Sequence, residues 1–170
     1  MFAVLTESGG RVLANDGGAF FPDVNNRRPG WDKDDSGNSL PEKIISNCYA
    51  AVRKSFDFPH DGIGNNGGST GILQQLSQNY VGARFPGKTW GWGSLADTMN
   101  IDTACRMFLD RVRVTTGTSY LGVSRDPIAV DVLNVQQPLA KEAKSDNYSD
   151  DAVKRARDLV DNWNPNYFQD

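Results

Sequence analysis

The sequence predicts a mainly α domain with long irregular loops and little or no β-structure, on three observations. Apolar residues recur every three or four positions in 40–56, 101–112 and 150–162, which places them on one face of a helix. No segment alternates apolar and polar residues for long enough to specify a sheet. Stretches rich in Gly, Asn and Asp, with Pro among them, separate the periodic segments as loops.

Taken in chain order, the apolar run 2–5 predicts a short helix that ends at Gly9 and Gly10, beyond which the apolar character resumes at Val12 and Leu13. A helix this apolar at residue 2 reads as cut short, as in a piece excised from a larger protein. Residues 15–39, which include Phe20, Phe21 and Trp31 among Gly, Pro, Asp and Asn, predict an irregular loop with aromatic anchors. Ser39 is placed to cap a helix with Pro41 in its first turn. Ile44, Ile45, Cys48, Ala51, Val52 and Phe56 then predict an amphipathic helix over 40–56, ended by Pro59.

The segment 60–69, HDGIGNNGGS, reads as a glycine loop, and 71–76, GILQQL, as a short, mostly buried element. Trp90 and Trp92 lie in a further glycine turn. Asp97 or Asn100 is placed to cap the most regular helix, carrying Ile101, Ala104, Cys105, Phe108, Leu109 and Val112. Residues 115–124 predict a loop, 126–135 a helix begun at Asp126-Pro127, and 150–162 a last charged helix. There is no internal repeat, and the 170 residues read as one domain large enough to bury a core without staples.

Composition narrows the function. There are 21 acidic and 18 basic side chains, a net charge of −3, and no basic run. That argues against nucleic acid or anionic lipid as partner, since both are held mainly by a basic face. No apolar stretch is long enough to cross a bilayer, and the start lacks the pattern of a signal peptide. Cys48 and Cys105 are too few for a disulfide framework and wrongly spaced for zinc; each reads as a small buried apolar residue. With His60 as the sole histidine, a multi-histidine metal site is excluded, so neither metal nor cofactor is expected.

The glycine loop 62–68 lacks both the order and the terminal lysine of a phosphate cradle. His60 has no nucleophile elbow to serve, and reads as structural. Glu7 is the odd residue, a carboxylate at the end of an apolar helix beside Ser8-Gly9-Gly10. Withdrawn from water, such a carboxylate is favoured in its neutral form, the condition for a general acid near neutral pH. The alternative is a glutamate paired with an arginine or with turn amides.

In order, the blocks TESGGRVLAN, GGSTGILQQ, GWGSLADTMNIDTACRMFLDRV, NVQQPLAKEA and DNYSDDAVKRARDLV resemble the lysozyme-like superfamily of goose-type lysozymes and soluble lytic transglycosylases. They are most similar to the lysozyme-like domains of actinobacteria and their phages, found in endolysins and tail tape measure proteins. The resemblance covers nearly the whole chain except 15–60, which reads as an insertion whose helix 40–56 packs outside or walls the cleft. It implies a lysozyme-like α-helical fold and a glycosidase acting on peptidoglycan. Glu7 then matches the family's catalytic acid, and Gly71-Ile72-Leu73-Gln74 its GxxQ turn, which lines the sugar cleft with Ser69 just before it. Tyr148 matches a tyrosine close to that acid. PHDGIG matches a segment of the actinobacterial subgroup, which makes Asp61 the candidate second acid.

Where goose-type enzymes carry further acids, this chain has Asn65 or Asn66 and Leu76, so a clear water-activating carboxylate is missing. Cleavage of the glycosidic bond needs a proton on the leaving oxygen and stabilisation of an oxocarbenium-like ring. Glu7 alone implies an anhydro-forming transglycosylation, and Glu7 with Asp61 a hydrolysis. Trp90, Trp92, Phe20, Phe21, Trp31 and Tyr80 sit in apparent loops where sugar-stacking platforms form, Trp90 and Tyr80 being the leading candidates and Trp92 a structural plug. The expected partner is the peptidoglycan glycan strand, alongside other domains of a larger phage protein. The expected site of action is the bacterial cell wall, reached at lysis or from the virion tail. Two other classes stay open: a non-catalytic glycan-binding or structural module of a phage tail, and a chitinase-like enzyme.

Overall fold

The computed structural model describes residues 8–27, 32–34, 36–64 and 67–116, together with Lys154 and Asp158. The chain divides into two compact units: Gly10–Met107, and a second that takes in Met1–Gly9 and Phe108–Asp170. The described part is mainly α with a few short strands, as expected from the helical periodicity. The expected helix at 126–135 lies outside the described residues. So does that at 150–162, apart from Lys154 and Asp158, both helical.

Within Gly10–Met107 the strands β1 (Leu13–Asn15), β2 (Gly62–Gly64), β3 (Ser69–Thr70) and β4 (Gln75–Leu76) are each only two or three residues long. β1 pairs in parallel with β2, Leu13 opposite Gly62 and Asn15 opposite Gly64. On its other side Leu13 bridges antiparallel to Gly71, whose N–H donates to the Leu13 carbonyl at 2.9 Å. β3 and β4 form a tight antiparallel hairpin around that same glycine. The segment 62–64 is therefore a strand rather than part of a glycine loop. It escapes period-2 reading because two of its three residues have no side chain.

The helices that lie wholly among the described residues are α1 (Glu42–Arg53), α2 (Gln78–Arg84), α3 (Leu95–Met99) and α4 (Ile101–Thr116). α1 starts two residues later than its apolar pattern and runs into a 3₁₀ turn, Lys54–Asp57. Its N-cap is Pro41, with no side-chain cap, while Ser39 instead bridges to Lys33 across the tip of the preceding loop. That tip closes on Asp34, whose Oδ1 accepts the N–H groups of Ser36 and Asn38 at 2.9 and 2.8 Å. These hydrogen bonds hold the Asp34 carboxyl below its ordinary range. The single helix expected from Asp97 or Asn100 is two. Ser94 caps α3 in a capping box with Asp97, and Asn100, extended between them, accepts from Thr103 N–H to start α4.

The core of this unit is built from Ala19, Phe20, Ile45, Cys48, Val52, Tyr80 and Val81, ringed by half-buried Leu40, Ile44, Tyr49, Leu76, Ala83 and Phe85. α1 and α2 pack face to face in it, so the helix of the 15–60 insertion is part of the core rather than an outer addition. The 15–39 loop is anchored as its aromatics suggested: Phe20 packs on Tyr80, and Phe21 on Tyr49, each at 5.8 Å between ring centres. Arg27 ties the loop to the start of α1, forking onto both oxygens of Glu42 at 2.8 and 2.6 Å and donating from Nε to the Phe21 carbonyl. The fork lowers the Glu42 carboxyl and raises the Arg27 guanidinium.

Gly71 is the tightest point. Its φ of +77° is left-handed, and a Cβ there would drive into the carbonyl of Thr98 in α3. Both effects forbid a side chain. We expect Gly71→Ala to cost about 2 kcal/mol or more in urea unfolding, with the apolar substitution Ile72→Val costing about 1 kcal/mol as the reference for an ordinary core change.

Candidate functional site

β1 brings together the segments singled out in the sequence. Asn15, at its end, is fully buried, and its side-chain amide and backbone N–H are hydrogen-bonded, mostly to residues far away in the sequence. Its Nδ2 donates to the carbonyls of Gly67 and Ser69, each at 2.9 Å; its Oδ1 accepts from Gly17 N–H at 2.8 Å; its own N–H donates to Ser55 Oγ at 2.8 Å. One residue thus joins the β2–β3 connection, the start of the insertion and the 3₁₀ turn that follows α1. Sequence reading passed over it, although an asparagine closing the apolar run Val12-Leu13-Ala14 is itself the signal of a buried, satisfied polar group.

Asp61 lies at the entrance to β2. Its Oδ2 accepts from Val12 N–H at 3.0 Å, and its own N–H donates to the Val12 carbonyl at 2.8 Å. The pair of bonds clamps the first residue before β1 to the first before β2, with the exposed Arg11 side chain running over Gly62 alongside. The neighbouring His60 is exposed, its Nδ1 2.8 Å from the Phe58 carbonyl oxygen and its ring edge-on to Phe56. That arrangement suits a structural histidine with its proton on Nδ1.

The turn after β3 holds Gln74, a non-glycine residue at φ +47°. Its Nε2 donates back to the Gly71 carbonyl at 2.9 Å, and its Oε1 lies over Gly64 of β2. Such a conformation in a residue with a full side chain is the kind of strain that clusters at functional turns. Ser69, by contrast, is buried in β3 with its carbonyl held by Asn15.

Tyr80 is not a loop residue but sits in α2, 3% exposed and packed on Phe20 and Gly68. Burial pushes its phenol far above the ordinary value. It is a core residue, and the expectation of a stacking platform there is withdrawn, as it is for the fully buried Phe20. The helical face of α2 decides this: Tyr80 and Val81 turn inward together. Trp90 is 50% exposed, its ring 5.4 Å from Phe85 and tilted by 40°. Trp92 is half-buried, and its N–H donates to the Leu76 carbonyl, closing the glycine turn onto β4.

Ser8 is helical and buried, and Gly9 and Gly10 follow with φ of +64° and +84°, the left-handed geometry that ends helices. Glu7 and Tyr148 lie outside the described residues. Cys48 and Cys105 are free thiols; burial raises both, Cys48 to about 11, so neither is a ready nucleophile at neutral pH. Among the described residues no group of His, Cys, Asp and Glu is gathered to hold a metal ion.

The arrangement thus gathers Asp61, the strained Gln74 turn and the buried Asn15 around one strand. No family model and no curated protein matches the sequence.

Asp61 allows a clean separation of scaffold from chemistry. Asp61→Asn keeps an oxygen for Val12 N–H and is expected to leave the thermal midpoint nearly unchanged, whereas Asp61→Ala loses the clamp at about 1 kcal/mol. A carboxylate that activates water is lost in both variants; one that only clamps the strands is replaced by Asn. Glycan turnover by Asp61→Asn decides between them.

Proposed function

We propose that this chain is a lysozyme-like domain that cleaves the β-1,4 linkage between N-acetylmuramic acid and N-acetylglucosamine in peptidoglycan, with Glu7 as general acid/base. The observation that carries the reading is the meeting of three resemblance-bearing segments at Leu13: it pairs with Gly62 of PHDGIG on one side and with Gly71 of the GxxQ turn on the other. Segments some 50 and 60 residues apart are thereby held against one strand. A catalytic cleft needs such a rigid scaffold to carry its loops.

In this reading Glu7 protonates the glycosidic oxygen as the bond to the muramoyl C1 breaks, and positive charge develops on the ring. In the transglycosylase route the Glu7 carboxylate then takes the proton of the muramoyl 6-hydroxyl, whose oxygen closes on C1 to give the anhydro sugar. In the hydrolytic route Asp61 takes a proton from water, with Oδ2 committed to Val12 and Oδ1 left for the water. Gln74 and Trp90 supply sugar contacts, the ring of Trp90 being exposed and braced by Phe85. The glycan strand is the partner and the bacterial cell wall the place of action, as part of a phage lysis or tail protein.

The test is digestion of purified peptidoglycan by wild type and Glu7→Gln, with released muropeptides identified by mass. Gln keeps the size of Glu but has no proton to give, and release is expected to fall by about 10²- to 10⁴-fold. Anhydro ends on the wild-type fragments name the transglycosylase route, and reducing ends the hydrolytic one. Equal release by both proteins, or none by either, overturns the reading.

A further inference from the structure

One side chain in the Gly10–Met107 unit has no use in any of the above. Gln75 of β4 is 1% exposed, and neither Nε2 nor Oε1 of its amide makes a hydrogen bond to any protein group. Buried amides are almost always paired, because an unpaired donor or acceptor keeps the full cost of leaving water. Its neighbours are polar. Gln75 stands directly opposite Thr70 in the β3–β4 hairpin, so the two side chains share a face with Cβ atoms about 5 Å apart. Thr70 Oγ1 is 2.9 Å from Thr98 Oγ1, and Thr98 Oγ1 donates to the Leu95 carbonyl at 2.9 Å. Since Thr98 has spent its one proton on Leu95, Thr70 is the donor between the two hydroxyls. The lone pairs of Thr70 Oγ1 are then open to a further donor.

We propose that the Gln75 amide and the Thr70 hydroxyl form a buried binding site for a small neutral ligand that both donates and accepts, namely internal water. The amide itself selects that class. It offers a donor and an acceptor side by side, so an anion would leave Oε1 unanswered and a cation Nε2. Water answers both and donates to Thr70 as well, within the two to four partners typical of internal waters. The water extends the Thr70–Thr98–Leu95 chain to β4 and so ties the strand that follows Gln74 to α3. The inference rests on the packing of this unit and not on the proposed glycosidase activity.

The experiment compares the wild-type protein with Gln75→Met, which keeps chain length and removes both polar atoms. The variant also identifies the Gln75 side-chain amide signals in the NMR spectrum by their loss. Expected are nuclear Overhauser contacts from those amide protons to a long-lived water, and a lower thermal midpoint for Gln75→Met that is no lower still in Gln75→Met/Thr70→Val than in Thr70→Val alone. A raised midpoint for Gln75→Met, or amide protons with no contact to water, overturns the proposal. Nuclear Overhauser contacts from the Gln75 amide protons to the acetamido methyl of added N-acetylglucosamine also overturn it, by giving the amide to an acetamido group instead. None of these outcomes depends on Glu7, and all are read equally in a Glu7→Gln background, so this inference and the glycosidase reading fail separately.

Discussion

The side chain of Asn15 is the constraint on which the Gly10–Met107 unit depends. Four strands of two or three residues cannot hold themselves together, because each is too short to build more than a fragment of a ladder. A buried asparagine with four well-formed hydrogen bonds, three through its side-chain amide and one through its backbone N–H, supplies what the strands lack, and it does so in a place where an unpaired partner would be costly. Because its partners come from positions 17, 55, 67 and 69, it couples parts of the chain that apolar packing alone would leave free to slide.

The same coupling explains why the 15–60 segment cannot be a detachable insertion. Its helix presents Ile45, Cys48 and Val52 to Phe20, Tyr80 and Val81, and its last turn supplies Ser55 to the Asn15 backbone. Removing it would expose the apolar face of α2 and orphan a buried N–H. Arg27 and Glu42 close the outer side of the segment with a bidentate pair at the helix N-terminus, where a carboxylate also suits the helix dipole. The loop is long, but it is pinned at both ends and through its aromatics.

Around β1 the structural and chemical roles of the residues overlap. Asp61 is at once the candidate second acid and a strand clamp, and Gln74 is both the candidate sugar contact and the brace of its own turn. Such double use is what a rigid site requires: a side chain whose position is already fixed by backbone hydrogen bonds loses little freedom when substrate arrives. Gly71 is the counterpart on the backbone, a position where the chain passes so close to α3 that no side chain fits.

The sequence by itself determined the elements that carry their signal locally. The helices at 42–53 and 101–116 were legible from apolar residues every three or four positions, the loop at 15–39 from its turn formers, and the Asn100 cap from a polar residue before an apolar run. Asp61 and Gln74 were legible as candidates only through the resemblance, Asp61 by the PHDGIG segment and Gln74 by the GxxQ turn. Tertiary structure alone decided the strands, since Gly62-Ile63-Gly64 has no alternation to read and becomes β only by pairing with Leu13–Asn15. It likewise decided that Tyr80 faces inward, that Ser39 does not cap, and that Asn15 and Gln75 are buried. The physical reason is range: helical periodicity and caps are written within four residues, whereas burial, strand pairing and the satisfaction of a polar side chain depend on groups that only folding brings near.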